Sequence, residues 1–383
     1  MAEIVAALAT AHAPQLFTYP PDEDPAQLDA TVAAMREAGR ILAAAKPEVI
    51  LFLGSDHLET FSLNCVPTFA LVAGSRAHAE FAGRDFDLPI HREMAEDILN
   101  QLIAAGFDVA YSEDALLGHT FAVPFEYVLK GVDAPVIPFH TNVYLPPLPS
   151  PQRCAALGRE LGKIVAGRSE RVAIIASGGM SHYPGTVRYP HPEFDFDHWL
   201  IAELERGNVD ALLDMTSIQL DEVGNTELLN WAIMFGAIGS QPGELLQYTP
   251  TWHHGHAVMR FLPGPAADRA QTERRPAFQF QNQGFQFYKH PPAEAYQLNK
   301  FLFEVRTNVA MRRRLLTDLD SVVAEFKFDA QEREALRAMI RVGELKKISD
   351  SVDPLVKMGA HPLQALMSLH VLHGEKKKLA KGE

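Results

Sequence analysis

Short apolar runs alternate with longer amphipathic segments over roughly the first 260 residues of the chain. Four of the short runs are rich in β-branched residues and predict largely buried strands, at residues 4–10, 49–54, 136–140 and 172–177. Apolar residues at three-to-four spacing predict amphipathic helices at 26–45 and 152–165, and residues 226–238 are apolar nearly all round, which is typical of a buried helix. A last strand is expected at 256–262. This alternation predicts an α/β fold.

The amino-acid composition and the hydrophobic pattern of the chain change after residue 262. Residues 263–292 contain many prolines, glycines and glutamines without a clear period, which is typical of a linker or an arm. Beyond the linker, residues 295–373 have only helical periodicity, and two segments, DLDSVVAEF and DAQEREALRAMI, open on an Asp suited to capping a helix. The sequence therefore predicts three parts: a catalytic domain at 1–262, a linker at 263–292, and a small all-helical domain at 293–383 with a frayed, charged end.

Composition narrows the class of protein. The 383 residues are 47% hydrophobic and 22% charged, as in ordinary globular proteins. A net charge of −13 argues against a nucleic-acid partner, which needs a basic surface. No apolar run reaches the roughly 18 residues of a membrane span, and no secretory leader is recognisable, so we expect a cytoplasmic protein without a membrane partner. Cys65 and Cys154 are too few for a cysteine metal site, so any metal must be held by histidines and carboxylates.

Several of the 16 histidines lie where a predicted strand ends, which is where open α/β sheets bind ligands. His12 follows the first strand in AHAPQ, His57 follows the second in GSDH, and His182 follows the strand at 172–177 in SGGMSH. A fourth candidate, His119 in GHTFAVP, precedes a proline that is expected to open a helix. His119 could donate a hydrogen bond near the site or be an ordinary loop histidine.

Glu227 differs because it lies in the very apolar segment NTELLNWAIMFGAI, where a charged group needs a compensating partner. Either a metal ion or the first turn of a helix would provide it. Two histidines and one glutamate suggest a mononuclear site with open positions, the arrangement used by non-haem Fe(II) proteins that react with oxygen. Zinc with the same ligands would suit a hydrolase or another non-redox metal enzyme, although no HExxH motif occurs. Spacing alone leaves both metals open.

Six short motifs occur in the order AHAP, GSDH, GHTFAVP, VIPFHTNVY, SGGMSH and TELLNW. Together they resemble the class III, LigB-type extradiol ring-cleavage dioxygenases. Residues 295–373, with LNKFLFEVRTN, FDAQEREAL and MGAHPLQAL, resemble the small helical subunit of protocatechuate 4,5-dioxygenases. The fused order is similar to that of gallate dioxygenases.

The resemblance implies a LigB-like α/β domain with a central mixed sheet flanked by helices, followed by a small all-α domain. It implies Fe(II) held by His12, His57 and Glu227, with His182 as the acid–base residue and His119 as a second active-site histidine. It also implies extradiol cleavage of a small aromatic diol by O2, and a homodimer.

The substrate is left open by the segment YTPTWHHGHAVM, where related enzymes hold a carboxylate with small polar residues. Trp252, His253, His254 and His256 could form a bulky, partly cationic pocket or face solvent. The aromatic residues of the linker and helical domain, Phe285, Phe287, Tyr288 and Tyr296, are further candidates for substrate contact. Gallate, protocatechuate, 3-O-methylgallate and 3,4-dihydroxypyridine are the candidate substrates.

Overall fold

A computed structural model describes residues 4–261, 280–289, 291–341 and 348–381. The strands are β1 Ile4–Thr10, β2 Val49–Ser55, β3 Phe69–Val72, β4 Arg76–Phe81, β5 Arg84–Pro89, β6 Ala110–Ser112, β7 Leu116–Leu117, β8 Val136–Thr141, β9 Val172–Ser177, β10 Gly243–Pro250 and β11 Gly255–Phe261. The helices of the first part are α1 Gln15–Thr18, α2 Pro25–Ala45, α3 Arg92–Ala104, α4 His119–Tyr127, α5 Pro151–Ala166, α6 Phe194–Glu205, α7 Asp210–Leu213, α8 Ser217–Glu222 and α9 Leu228–Ile238. A 3-10 turn, Ala293–Ala295, leads into α10 Tyr296–Thr307, α11 Val309–Thr317, α12 Leu319–Ala324, α13 Ala330–Arg341, α14 Ile348–Lys357 and α15 Pro362–Lys381.

Within the described part of the chain, the main sheet has eight strands in the order β10-β11-β1-β9-β2-β8-β3-β6. Its centre, β1-β9-β2-β8, is parallel, whereas β11 is antiparallel to β1 and β3 is antiparallel to β8. The strands β2, β8 and β9 are buried along their whole length, which explains their continuous apolar runs. The predicted fold class, a mixed sheet flanked by helices with a helical C-terminal region, is confirmed. A second sheet, β5-β4-β7, was not predicted.

The parallel strands at the centre of the sheet determine where the candidate histidines can meet. Because β1, β9 and β2 are neighbours and run in the same direction, the loops that follow them all begin at one edge of the sheet. Thr10 at the end of β1 lies opposite Ser177 at the end of β9. Side chains from these loops can therefore meet although they are far apart in the sequence.

Two local expectations were wrong, and one helix starts later than predicted. Pro124 lies inside α4 and His119 begins this helix, so the proline does not open it. The helix expected at 226–238 begins at Leu228, which leaves Glu227 as the residue before its first turn. The charged end, expected to fray, continues α15 as far as Lys381. Residues 263–279 of the predicted linker lie outside the described residues.

The helical region has an apolar core of its own, formed by buried residues between Leu298 and Leu372. Leu363 and Met367 of α15 instead belong to the core of the first part, so this helix lies at the junction of the two. These cores support a boundary between the linker and the helices, but the division at residues 262 and 292 stays a prediction. Among the described residues, no helix combines the length and apolar character needed to cross a membrane.

Glycines allow α5 and α9 to pack at very short range beside the sheet. A Cβ atom on Gly158 would overlap the carbonyl oxygen of Ile233, and one on Gly236 would overlap that of Ala155. Since α9 also packs against β1, β2 and β9, this close contact fixes the height of the helix above the sheet. The N-terminal end of α9 carries Glu227, so the same contact fixes the position of that carboxylate.

We expect Gly158→Ala to lower the free energy of unfolding by about 1–3 kcal/mol, because overpacking forces the two helices apart. Denaturant unfolding of the full chain would measure this change. Gly374→Ala is the matched control: a Cβ at this position in α15 meets open space, so this variant should be about 0.5–1 kcal/mol more stable than the parent. Parental stability of Gly158→Ala would contradict the close helix contact.

Candidate metal centre

The five predicted site residues lie together at the carboxyl edge of the parallel strands. His12 follows β1, His57 follows β2 and His182 follows β9, while His119 begins α4 and Glu227 precedes α9. All five are buried. Two overlapping groups of possible ligands can be formed from them: His12, His57 and His119, and His57, His182 and Glu227.

The carboxylate of Glu227 is the centre of the cluster. Its Oε2 lies 3.2 Å from Nε2 of His12, and its Oε1 lies 2.8 Å from Nε2 of His57. Nε2 of His182 is 3.4 Å from Oε1. Three imidazole nitrogens thus converge on one carboxylate that has no solvent exposure.

The protonation states of the cluster are those that binding of a cation requires. Burial lowers the pKa of His57 to about 3 and also lowers the pKa of His12, so both imidazoles are neutral near pH 7. Burial alone would raise the pKa of Glu227, but the charges that His12 and His182 carry when protonated lower it well below its usual range, so the carboxylate is ionised. Two neutral imidazoles and one carboxylate are a donor set that non-haem iron and zinc both accept.

The hydrogen bond of His12 engages Nδ1 and leaves Nε2, the nitrogen that faces the cluster, free to bind a metal. Ser177 donates its hydroxyl to the carbonyl of Thr120 at 2.8 Å, so its oxygen accepts from Nδ1 of His12, also at 2.8 Å. This bond places the proton of the neutral imidazole on Nδ1 and leaves Nε2 as a bare lone pair facing Glu227. Nε2 has no hydrogen bond of good geometry among the described residues. The residues present therefore fit a divalent cation.

His182 is held in one tautomer by its own loop. Its Nδ1 donates to the carbonyl of Met180 at 2.9 Å, which leaves Nε2 as an acceptor toward the cluster. Its ring stacks on His254, with centroids 3.9 Å apart and planes 6° apart.

The loop that carries His182 is anchored by a buried carboxylate. Asp197 accepts from the backbone N–H of Ser181 at 3.1 Å and from its hydroxyl at 2.9 Å. Tyr248 and Asn225 also donate to Asp197, at 2.8 and 3.2 Å. The side chain of Asp197 has no solvent exposure, and this burial raises its pKa to about 6 despite the four donors.

His119 is paired with a carboxylate that the sequence interpretation missed. Glu59 accepts from the backbone N–H of His119 at 3.0 Å and from its Nδ1 at 2.9 Å. The imidazole of His119 lies beside those of His57 and His12, with ring centroids 4.5 and 5.5 Å away. Burial raises the pKa of Glu59, but His119 and Arg306 outweigh it and keep the carboxylate ionised.

Tyr144 is a second residue that was missed. Its hydroxyl donates to Oε1 of Glu227 at 2.6 Å and lies 3.1 Å from Nε2 of His182. Burial and the charge of Glu227 raise the pKa of Tyr144 well above its ordinary value, so it keeps its proton. The available signal was its place just after β8, at the same edge of the sheet, within VIPFHTNVY.

The segment around Trp252 was expected to form a partly cationic pocket or to face solvent, and most of it does neither. Trp252 is 44% exposed, but the three histidines His253, His254 and His256 are buried. Burial lowers the pKa of His256 to about 3 and that of His254 well below its usual value, so these two imidazoles are neutral. His253 instead pairs with the buried Glu23, at 2.5 Å.

The aromatic candidates of the linker and helical region have mixed positions. Tyr288 packs edge-on against Tyr144, with ring centroids 4.8 Å apart, and Phe287 packs against Tyr183. Tyr296 is 38% exposed. Of these residues, Tyr288 therefore comes closest to the cluster through a described contact.

The structure is thus that of an α/β protein with a buried cluster of histidines and one glutamate that could hold a metal ion. A family model described as the catalytic LigB subunit of aromatic ring-opening dioxygenase matches residues 6–261. This match covers more than half of the chain, and the chain belongs to that family. The expectation of a ring-opening dioxygenase is therefore confirmed at the level of the family.

The chain is also similar to individual dioxygenases. The 2,3-dihydroxyphenylpropionate/2,3-dihydroxicinnamic acid 1,2-dioxygenase of Klebsiella pneumoniae (strain 342) is 36% identical over 164 residues, which are 43% of this chain and 52% of the relative. The enzyme of the same name from Escherichia coli (strain K12 / DH10B) is 35% identical over 164 residues, which are 42% and 52% of the two chains. This chain thus spans about half the length of these relatives. Among solved structures, an uncharacterized protein from Escherichia coli K12 is 14% identical with a TM-score of 0.47, covering 67% of this chain and 98% of that one.

We expect Glu227→Ala to bind a divalent metal more weakly, because the change removes the only carboxylate of the expected ligand set, His12, His57 and Glu227. Its affinity for Fe(II), measured anaerobically by competition with a chelator, should fall by more than the roughly 10–100-fold that loss of an outer partner costs. Glu205→Ala, on the exposed surface of α6, is the control and should bind as the parent does. Parental affinity of Glu227→Ala would remove this residue from the ligand set.

Proposed function

We propose that this protein is a non-haem Fe(II)-dependent extradiol dioxygenase that opens a catechol-type aromatic ring with O2. His12, His57 and Glu227 would hold the metal, and His182 and His119 would act on the substrate. The observation that carries the proposal is the fully buried Glu227 carboxylate, with Nε2 of His12 at 3.2 Å and Nε2 of His57 at 2.8 Å, in a chain of the LigB family. When bound, Fe(II) supplies Lewis acidity toward two adjacent ring oxygens and a redox centre that O2 can use.

His182 is suited to proton transfer with the substrate. Its Nδ1–H is committed to the carbonyl of Met180, so Nε2 is the atom that can accept a proton from a ring hydroxyl. An imidazole can accept and return a proton near neutral pH, which a ring-opening sequence requires. The anionic Glu227, 3.4 Å from Nε2, stabilises the cationic imidazole that results.

His119 and Tyr144 complete the polar part of the site. Because Nδ1 of His119 donates to Glu59, its Nε2 is the nitrogen left to contact a substrate hydroxyl or O2. Tyr144 keeps its proton and places a hydroxyl between Glu227 and His182. It can therefore orient the general base without titrating itself.

The substrate class is a small aromatic diol. The two relatives named above act on 2,3-dihydroxyphenylpropionate and 2,3-dihydroxicinnamic acid, which are catechols with an acidic side chain. The fused helical region favours gallate or protocatechuate, and 3-O-methylgallate and 3,4-dihydroxypyridine are further candidates. The neutral, buried His254 and His256 give the adjoining wall no fixed positive charge for a carboxylate.

We further propose that residues 293–383 correspond to the small helical subunit of protocatechuate 4,5-dioxygenases, fused behind the catalytic part as in gallate dioxygenases. The family match ends at residue 261, and the helical region has a separate apolar core, which supports this assignment. The expected homodimer and cytoplasmic location stay predictions.

Oxygen uptake by anaerobically prepared, Fe(II)-loaded protein should occur with one of six diols: gallate, protocatechuate, 3-O-methylgallate, 2,3-dihydroxyphenylpropionate, plain catechol or 3,4-dihydroxypyridine. A ring-opened product should form in parallel, because both atoms of O2 enter the substrate. An oxygen electrode and product absorbance measure the two. Loading with Zn(II) is the control and should abolish uptake. Activity with zinc equal to that with iron, or no uptake with any of these diols, would contradict the proposal.

His182→Gln should lower kcat by roughly 10²–10⁴-fold, the range that general acid–base catalysis contributes. The iron content of the variant should be unchanged, because His182 is proposed to transfer protons and is not a proposed ligand. His191→Gln, at an exposed position nearby, is the control and should keep parental kcat and iron. Loss of iron from His182→Gln, or parental turnover, would contradict the assigned role.

A further inference from the structure

The loop that carries His57 is tightly folded. The carboxylate of Asp56 accepts from the backbone N–H groups of Glu59, Thr60 and Phe61, at 2.9, 3.0 and 3.0 Å. Leu58 has a φ of +57°, a left-handed conformation that is strained for a residue other than glycine. The loop therefore needs contacts from elsewhere to hold this shape next to a proposed metal ligand.

Those contacts come from the helical region. Arg306, in the last turn of α10, donates from Nη1 to the carbonyl of His57 at 2.7 Å and to that of Leu58 at 2.9 Å. Its Nη2 lies 2.7 Å from Oε1 of Glu59, in an ion pair in which the arginine side chain is only 2% exposed. A charge this deeply buried needs compensation. Here Nη1 donates to two carbonyls and the guanidinium forms an ion pair with one carboxylate, whereas Nε has no hydrogen-bond partner among the described residues.

Glu59 passes this constraint on to His119. Its Oε2 accepts from the backbone N–H and from Nδ1 of His119, while Nη2 of Arg306 lies close to Oε1. The carboxylate also lies against Gly118, where any Cβ atom would overlap it. The position and the tautomer of His119 therefore follow from where Glu59 is held.

We propose that Arg306 is a positioning residue of the metal site, through which the helical region sets both the His57 loop and the Glu59–His119 pair. This inference rests on the proposed function, since it assumes that His57 binds the metal and that His119 faces the substrate. A guanidinium is needed because its planar fork reaches two carbonyls and a carboxylate at once, which a single ammonium cannot match.

Arg306→Gln in the full chain tests the proposal. We expect weaker binding of Fe(II), with a dissociation constant raised roughly 10–100-fold, and a lower kcat per bound iron, because an outer partner of the ligands is lost. Millimolar guanidinium should restore both quantities, since it can refill the vacated position. Arg313→Gln is the matched control: it breaks an ion pair with Glu375 inside the helical region and has no described contact with the His57 loop, so it should leave both quantities unchanged.

Arg306→Lys keeps the charge without the fork and should fall between the parent and Arg306→Gln. It also serves as the second variant if Arg306→Gln does not fold. Parental affinity and kcat in either variant would overturn the proposal, as would an equal loss in Arg313→Gln or a loss that guanidinium does not reverse. A parent that binds Fe(II) but turns over none of the diols would contradict the proposed function alone, because the affinity comparison still decides the role of Arg306. A parent that binds no metal would contradict both.

Discussion

The buried charge of Glu227 is the constraint on which the site depends. Removing an ion from water is costly unless partners compensate it, and this carboxylate has no exposure at all. Compensation comes from the backbone N–H of Gly179 and the hydroxyl of Tyr144, which both donate to it. A Cβ atom on Gly179 would overlap His254, so glycine is what lets this N–H approach the carboxylate. The lone pair that Nε2 of His12 presents to Glu227 adds no compensation, so the cluster is suited to accept a cation.

The sheet makes this convergence possible. His57 and Glu227 are separated by 170 positions in the sequence, yet they are 2.8 Å apart because β1, β9 and β2 end at the same edge and α9 begins beside them. The close α5–α9 contact at Gly158 then fixes how far α9, and with it Glu227, stands from the histidine loops. Precision at the site thus depends on packing between helices that carry no chemistry themselves.

Sequence patterns could predict the parts of the site that follow from local rules. His12, His57 and His182 were recognisable because each follows a strand, and Glu227 because it is a charge next to an apolar helix. Tyr144 was harder, since one tyrosine after a strand has many possible roles. The contacts of Glu59 with His119 and Arg306 depend on a loop in a left-handed conformation and on docking of a distant helix. No local pattern encodes either feature. The small sheet β5-β4-β7 was missed for another reason, since its β4–β5 hairpin is local and turns at Ala82 and Gly83.

In the part of the chain that the structure describes, the helical region and the segment before it contact the site at three places. Arg306 bonds to the loop of His57, His361 lies 3.0 Å from the carbonyl of Tyr144 through its Nε2, and Tyr288, in the segment leading to these helices, donates to the carbonyl of Pro184 near His182. Each contact satisfies a backbone carbonyl that docking would otherwise bury without a partner, which would be unfavourable. The free energy of docking the helices therefore depends on the same contacts that set the geometry of the histidine–glutamate cluster. A change that loosens the helices must also loosen the loops that present His57, Tyr144 and His182, which gives a physical reason for the two parts to share a chain.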